Sequence, residues 1–156
     1  SVFEKKAAYV PQENPLIPEL TARDNFALWY KGDKKRMEKD LEEGVAKALG
    51  VSEFLGIPAG KLSGGQKKRL SIASALSNQA SVLIMDEPGA ALDLRAKEEI
   101  LRYIRTFVKR GGIVILTSHE MQELRVCSQL YILKEGVLIP ENIEMGVEPE
   151  NLIGKF

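Results

Sequence analysis

Four short segments carry side chains of the kinds that do chemistry. In Leu62-Ser63-Gly64-Gly65-Gln66 a serine and two glycines open a helix pattern. A helix start leaves backbone N–H groups unpaired beside the positive end of the dipole, and missing Cβ atoms let a phosphate approach closely. An ordinary capped helix start fits the same residues, so local chemistry leaves both readings open. In Val82-Leu83-Ile84-Met85-Asp86-Glu87-Pro88 two carboxylates follow a compact apolar run. At the carboxyl end of a buried strand, where open α/β sheets bind ligands, Asp86 could hold Mg²⁺ and Glu87 could orient or deprotonate a water. A solvated acidic pair capping the next helix is the competing reading, and Pro88, which lacks a backbone donor, suits a fixed loop better.

The third segment ends in the only histidine, His119, after the apolar run Ile113-Val114-Ile115-Leu116. A neutral ring there can hold or pass a proton, although a lone histidine is more often a surface residue. The fourth is Gln12, directly after Tyr9-Val10-Pro11. Its amide could touch a metal ion or water, or it is simply a loop glutamine.

The positioning elements follow from periodicity. Residues 7–10 read as a short strand, stopped by Pro11, and residues 11–19 hold Pro11, Pro15 and Pro18 and must be loop. Thr21 offers an N-cap for a helix to about Tyr30. Residues 34–49 read as one helix through Met37, Leu41, Val45 and Leu49, with Gly50 closing it. Ser63 caps a third helix with Leu70, Ala73 and Leu76 inward. The runs 82–85 and 113–116 read as parallel strands buried on both faces. Between them Asp93 caps a helix over residues 94–110 whose Leu94, Leu101, Ile104 and Val108 share one face. A short helix is expected over 119–127, a third strand over 130–133, and a turn at Glu135-Gly136 into Val137-Leu138-Ile139. Cys127 would lie buried or half-buried on that short helix. Lys67-Lys68-Arg69 reads as a solvated helix face.

The 156 residues suit one domain, and 22 basic against 22 acidic side chains argue against a strongly basic nucleic-acid binder. The longest apolar run, residues 26–30, is far short of a membrane-spanning helix. A single cysteine excludes an internal disulfide and a multi-cysteine zinc site.

Taken in order, the segments resemble the nucleotide-binding domain of the ATP-binding-cassette (ABC) family. Tyr9-Val10-Pro11-Gln12 resembles its Q-loop, and Leu62 to Gln66 matches the LSGGQ signature. Val82 to Pro88 resembles Walker B with the adjacent glutamate, Ala90-Ala91-Leu92-Asp93 the D-loop, and Thr117-Ser118-His119-Glu120 the H-switch. The resemblance covers residues 7–139. It implies an α/β, P-loop NTPase-like partial core sheet with an inserted helical subdomain. Residues 1–12 and 81–139 would form the RecA-like core, 16–78 the helical subdomain with the signature, and 140–156 a C-terminal tail. It implies ATP and Mg²⁺, with Glu87 and His119 catalytic and Asp86 and Gln12 serving the metal. Gln12, Ser63, Gly64, Gly65, Gln66 and Asp93 would contact nucleotide. The implied partners are a second ABC ATPase domain, whose γ-phosphate Ser63, Gly64 and Gly65 would meet, and a separate transmembrane permease reached through the segment after Gln12. The implied place is the cytoplasmic face of the cell membrane.

The sequence departs from the family in two ways. The only Gly-Lys pairs, Gly60-Lys61 and Gly154-Lys155, are not part of a G-x-x-x-x-G-K-[ST] loop. The chain is therefore expected to be the C-terminal part of a domain, inactive alone, with two unpaired edges where, by the resemblance, the strand leading to Walker A would lie between residues 113–117 and 129–133, a gap that dimerisation, strand exchange or a rearranged sheet would close. The second departure is at Gly89 and Ala90, where the D-loop commonly has polar residues. A non-catalytic dimerisation module and a soluble, non-transport ABC ATPase remain the alternatives to a transporter subunit.

Overall fold

A computed structural model describes residues 7–141. The tail is described only as far as Glu141, and residues 1–6 of the expected core lie outside the described residues. The described residues fall into two compact units, divided after Thr117.

In the first unit, β1 (Ala7–Val10), β2 (Val82–Asp86) and β3 (Ile113–Thr117) make a parallel sheet in that order. Parallel neighbours need crossovers. Four helices lie between β1 and β2: α1 (Ala22–Trp29), α2 (Lys34–Glu43), α3 (Val45–Ala48) and α4 (Gly64–Leu76). One, α5 (Leu94–Lys109), joins β2 to β3. The fold is thus α/β, with a helical insertion, as the residue pattern indicates.

The sheet is covered on one side only among the described residues. Ala8, Val10, Leu83 and Met85 share a face and are buried, with α4 packed against β1 and α5 against β3. On the opposite face Tyr9, Ile113 and Ile115 are more than half exposed. The expectation that both apolar strands are buried on both faces therefore fails: β2 buries one face and half-buries the other, and β3 leaves its outer face exposed. Among the described residues the only hydrogen-bonded neighbour of β3 is β2, and nothing covers the Ile113–Ile115 face. Apolar composition reports what a strand can bury, not what is there to bury it.

Two helices also differ from their periodicity. The segment expected as one helix over 34–49 breaks at Gly44, which leaves helical geometry (φ −93°, ψ −148°) between α2 and α3. Of the expected stripe Leu41 and Leu49 are buried, Met37 and Val45 only half-buried, and after the break Ala46 takes the buried place expected of Val45. Asp33 starts α2, its carboxylate accepting from the Arg36 N–H at 2.8 Å. In α5 the buried face is Ala96, Ile100, Leu101 and Ile104, whereas Leu94 and Val108 are about half exposed. Leu94 follows the N-cap directly, and the close approach of α4 is made by the small Ala96.

The proline-rich loop before α1 is held by Asn25. This fully buried amide donates to the carbonyls of Ile17, Leu20 and Thr21 at 3.0–3.2 Å and accepts from the Ile17 N–H at 2.8 Å. The helix-start donors of Ala22 and Arg23 go to the carbonyls of Ile57 and Leu55. Backbone pairing thus ties residues 18–23 to the strand-like approach to the signature, and the 3₁₀ turn Ala59–Lys61 delivers buried Leu62 to the start of α4.

The second unit contains α6 (Met121–Leu124) and an antiparallel hairpin of β4 (Leu130–Lys134) and β5 (Val137–Glu141). Its turn is Glu135-Gly136, both with positive φ. The short helix is confined to four residues, and half-buried Cys127 lies just beyond it. Burial and the nearby Glu123 carboxylate push the Cys127 thiol upward.

Candidate functional site

Three strand ends converge on one acidic pair. Asp86 is the last residue of β2 and registers with Thr117, the last of β3. The Thr117 hydroxyl donates to Asp86 Oδ1. The next backbone N–H, that of Glu87, donates to the Thr117 carbonyl at 3.1 Å and to its Oγ1 at 3.3 Å. From the far side of the sheet, just past β1, Gln12 Nε2 donates to Glu87 Oε2 at 2.9 Å. Gln12, Asp86, Glu87 and Thr117 therefore form one hydrogen-bonded group at the carboxyl edge, where open α/β sheets bind their ligands.

Glu87 holds a positive φ of 41°, which a residue with a Cβ adopts at a cost of about 1–3 kcal/mol. Pro88, buried next to it, cannot extend the ladder, so the chain turns away after the carboxylate. Turn bonds from Ala90 N–H to the Glu87 carbonyl and from Leu92 N–H to the Gly89 carbonyl, both 3.1 Å, lead into Asp93. Asp93 caps α5 by accepting from the Ala96 N–H at 2.9 Å. The missing hydroxyls at Gly89 and Ala90 do not disturb this cap.

The second group is the start of α4. Ser63 and Gln66 form a reciprocal capping box: Ser63 Oγ accepts from the Gln66 N–H at 3.2 Å, and Gln66 Oε1 from the Ser63 N–H at 2.9 Å. The amide oxygen of Gln66 is thus committed to the helix itself. Gly64 is exposed, and a Cβ there would meet Leu92 Cδ2 at 3.3 Å and the Ala91 carbonyl at 4.0 Å. Gly65 is buried, and a Cβ there would lie 2.6 Å from the Ala96 Cβ. The two glycines therefore differ. Gly65 lets the first turns of α4 and α5 abut, and Gly64 leaves the helix start open. Two helix N-termini side by side make an electropositive edge suited to an anion.

His119 is exposed, one residue after the start of the second unit. Among the described residues no group of three or more His, Cys, Asp or Glu could cage a metal ion. Mg²⁺ does not ask for one. It binds through one or two protein oxygens, with water and phosphate completing the octahedron. Asp86 and the Oε1 of Gln12 are such oxygens at the strand tips, so the donor set fits.

The residue pattern does not reveal what three further side chains do. Thr117 clamps both Asp86 and the Glu87 backbone, and the signal available was the alignment of two apolar runs that end together. Lys68 and Arg69 are not a solvated face. Lys68 is 2% exposed, and its Nζ donates to the carbonyls of Pro11 at 3.1 Å and Gln12 at 2.8 Å. Arg69 pairs with Glu99 at 3.2 Å, reaches the Leu49 carbonyl at 3.3 Å and stacks over the Phe54 ring.

The family profile described as ABC transporter matches residues 1–90, more than half of the chain. The chain belongs to the ABC transporter family. Among its curated relatives is the molybdenum import ATP-binding protein ModC of Rhodospirillum rubrum, 38% identical over 85% of this chain and 36% of that protein. The Nod factor export ATP-binding protein I of Rhizobium etli is 35% identical over 97% of this chain and 48% of its own length. The macrolide export ATP-binding/permease protein MacB of Rhodopseudomonas palustris is 33% identical over 90% of this chain and 22% of its own. This ABC family chain thus spans half or less of the relatives it matches. Among the described residues no helix is long and apolar enough to cross a membrane.

Proposed function

We propose that this chain is part of the ATP-binding subunit of a membrane transporter and supplies the hydrolytic edge and the signature of its nucleotide site. The observation that carries the reading is Glu87, held in a strained backbone at a strand tip with its carboxylate fixed by the Gln12 amide. Glu87 orients a water against the γ-phosphate of ATP and takes its proton as the new P–O bond forms and the bond to the leaving ADP oxygen breaks. Asp86 and Gln12 would hold Mg²⁺, which when bound would supply positive charge against the phosphate oxygens. Ser63, Gly64 and the helix start they cap close over ATP held by a second copy, and Asp93 sets the neighbouring helix beside them. These 156 residues hold no G-x-x-x-x-G-K-[ST] loop to grip the inner phosphates, so the chain alone binds ATP weakly.

A shallow apolar cavity of about 80 Å³ supports the permease reading. Tyr9, Pro15, Leu16 and Trp29 line it beside the Gln12 loop, and Tyr9 and Trp29 are more than half exposed. A short amphipathic helix of a membrane-embedded partner, at the cytoplasmic face, fits such a surface. The named import and export functions of the relatives favour a transporter over a stand-alone ATPase.

The test is MgATP hydrolysis by the polypeptide carrying this region together with an upstream glycine-rich loop. Glu87→Gln should cut kcat by about 100-fold or more while ATP binding stays within a few-fold. Absence of activity in the extended wild type, or an unchanged rate in the variant, contradicts the proposal.

A further inference from the structure

Lys68 sits two residues past the signature on α4, and burying an ammonium group demands a structural return. That return is visible at the end of β1. The ladder between β1 and β2 stops at Val10 and Met85, so the carbonyls of Pro11 and Gln12 lie just beyond the reach of the neighbouring strand. A single Nζ supplies donors to both, at 3.1 and 2.8 Å. An ammonium has three donors and no acceptor to satisfy, which suits two adjacent carbonyls that have lost their ladder. The next bond runs from the Gln12 side chain to Glu87 Oε2 at 2.9 Å.

We propose that Lys68 is a positioning residue that couples the signature helix to the hydrolytic carboxylate through Gln12. The path is contiguous: the start of α4, Lys68, the Gln12 backbone, the Gln12 amide, Glu87. A phosphate seated on the helix start shifts α4, and Lys68 carries the shift to the loop whose amide holds Glu87. A shift at one half-site thereby sets the water-orienting group of the other. This rests on the role proposed above for Glu87, but the hydrogen-bonded link itself can be read without turnover.

The test uses the same full polypeptide in its nucleotide-free form and during turnover. The side-chain amide resonance of Gln12, assigned by its absence in Gln12→Ala, should move in Lys68→Met towards where Glu87→Ala, which removes the acceptor, puts it. The same Lys68→Met change should lower kcat for MgATP by about 10- to 100-fold with KM changed less than twofold, as misplacement of a reacting group does. If Lys68→Met does not fold, Lys68→Gln replaces it, since its amide keeps two donors on a shorter stem and should shift the resonance in the same direction. A Gln12 resonance that stays in place overturns the proposal, with or without a fall in kcat, because Lys68 would then only fill the core. A wild-type polypeptide without ATPase activity removes the catalytic reading and leaves the resonance to decide the link.

Discussion

Replacing Gly65 with alanine separates packing from ligand approach at the signature. The added Cβ would lie 2.6 Å from the Ala96 Cβ, where ordinary contact begins near 3.4 Å. Both atoms are fixed to helix backbones, so no rotamer relieves the overlap. The helices α4 and α5 must separate by roughly 1 Å at their first turns, an overpacking that costs about 1–3 kcal/mol. Alanine recovers about 0.5–1 kcal/mol of helix propensity, leaving a net loss of about 1–2 kcal/mol. In urea, with a slope of about 2 kcal/mol per M, the midpoint should fall by about 0.5–1 M. Gly64→Ala comes closest to a movable Leu92 methyl at 3.3 Å and should shift stability by less than about 0.5 kcal/mol. Adding Ala96→Gly to Gly65→Ala should restore stability, with a coupling of about 1 kcal/mol or more. A Gly65→Ala protein as stable as wild type, or one that Ala96→Gly fails to rescue, refutes the reasoning and returns Gly65 to a phosphate-approach role.

Asn25→Ala strips four hydrogen bonds from a fully buried amide and leaves the Ile17 N–H and carbonyl without their partner. Unfolding in denaturant should show a loss of about 2–4 kcal/mol, and an effect under 1 kcal/mol would contradict the pinning role. Tyr103, pushed up to about 12 by burial against an opposing Arg110 guanidinium, should ionise late in the folded protein. Because its folded value lies above the ordinary 10, its contribution to stability is complete below pH 10 and is lost as pH rises from 10 towards 12. Tyr103→Phe should flatten that part of the stability–pH curve, and a tyrosinate absorbance titration with all tyrosines near 10 would contradict it.

Caps and strand ends were legible because they rest on local chemistry. Thr21, Ser63 and Asp93 each accept from the N–H three residues on, as their side chains and neighbours require. Asp86 ends β2 because Glu87-Pro88 cannot continue it. What was not legible depends on a second element. The 34–49 periodicity is continuous, and only the geometry at Gly44 breaks it. The β3 run looks like a core strand, yet its burial depends on a neighbour rather than on its own residues. Leu94 and Val108 fit a helical stripe as well as Ala96 does, but α4 selects the smaller side chain through Gly65. Three consecutive charges at 67–69 look solvated until the carbonyls at the end of β1 and the Glu99 carboxylate appear beside them.

The central claim is that one nucleotide site takes Glu87 from one copy and the signature from another. It is tested most directly by mixing two inactive full-length variants, Ser63→Arg and Glu87→Gln. In a mixed pair one site joins an intact Glu87 to an intact signature and the other joins both defects. Random pairing should therefore restore roughly a quarter of wild-type ATPase activity. A mixture as inactive as either variant alone would contradict the account, because each site would then be built within a single copy.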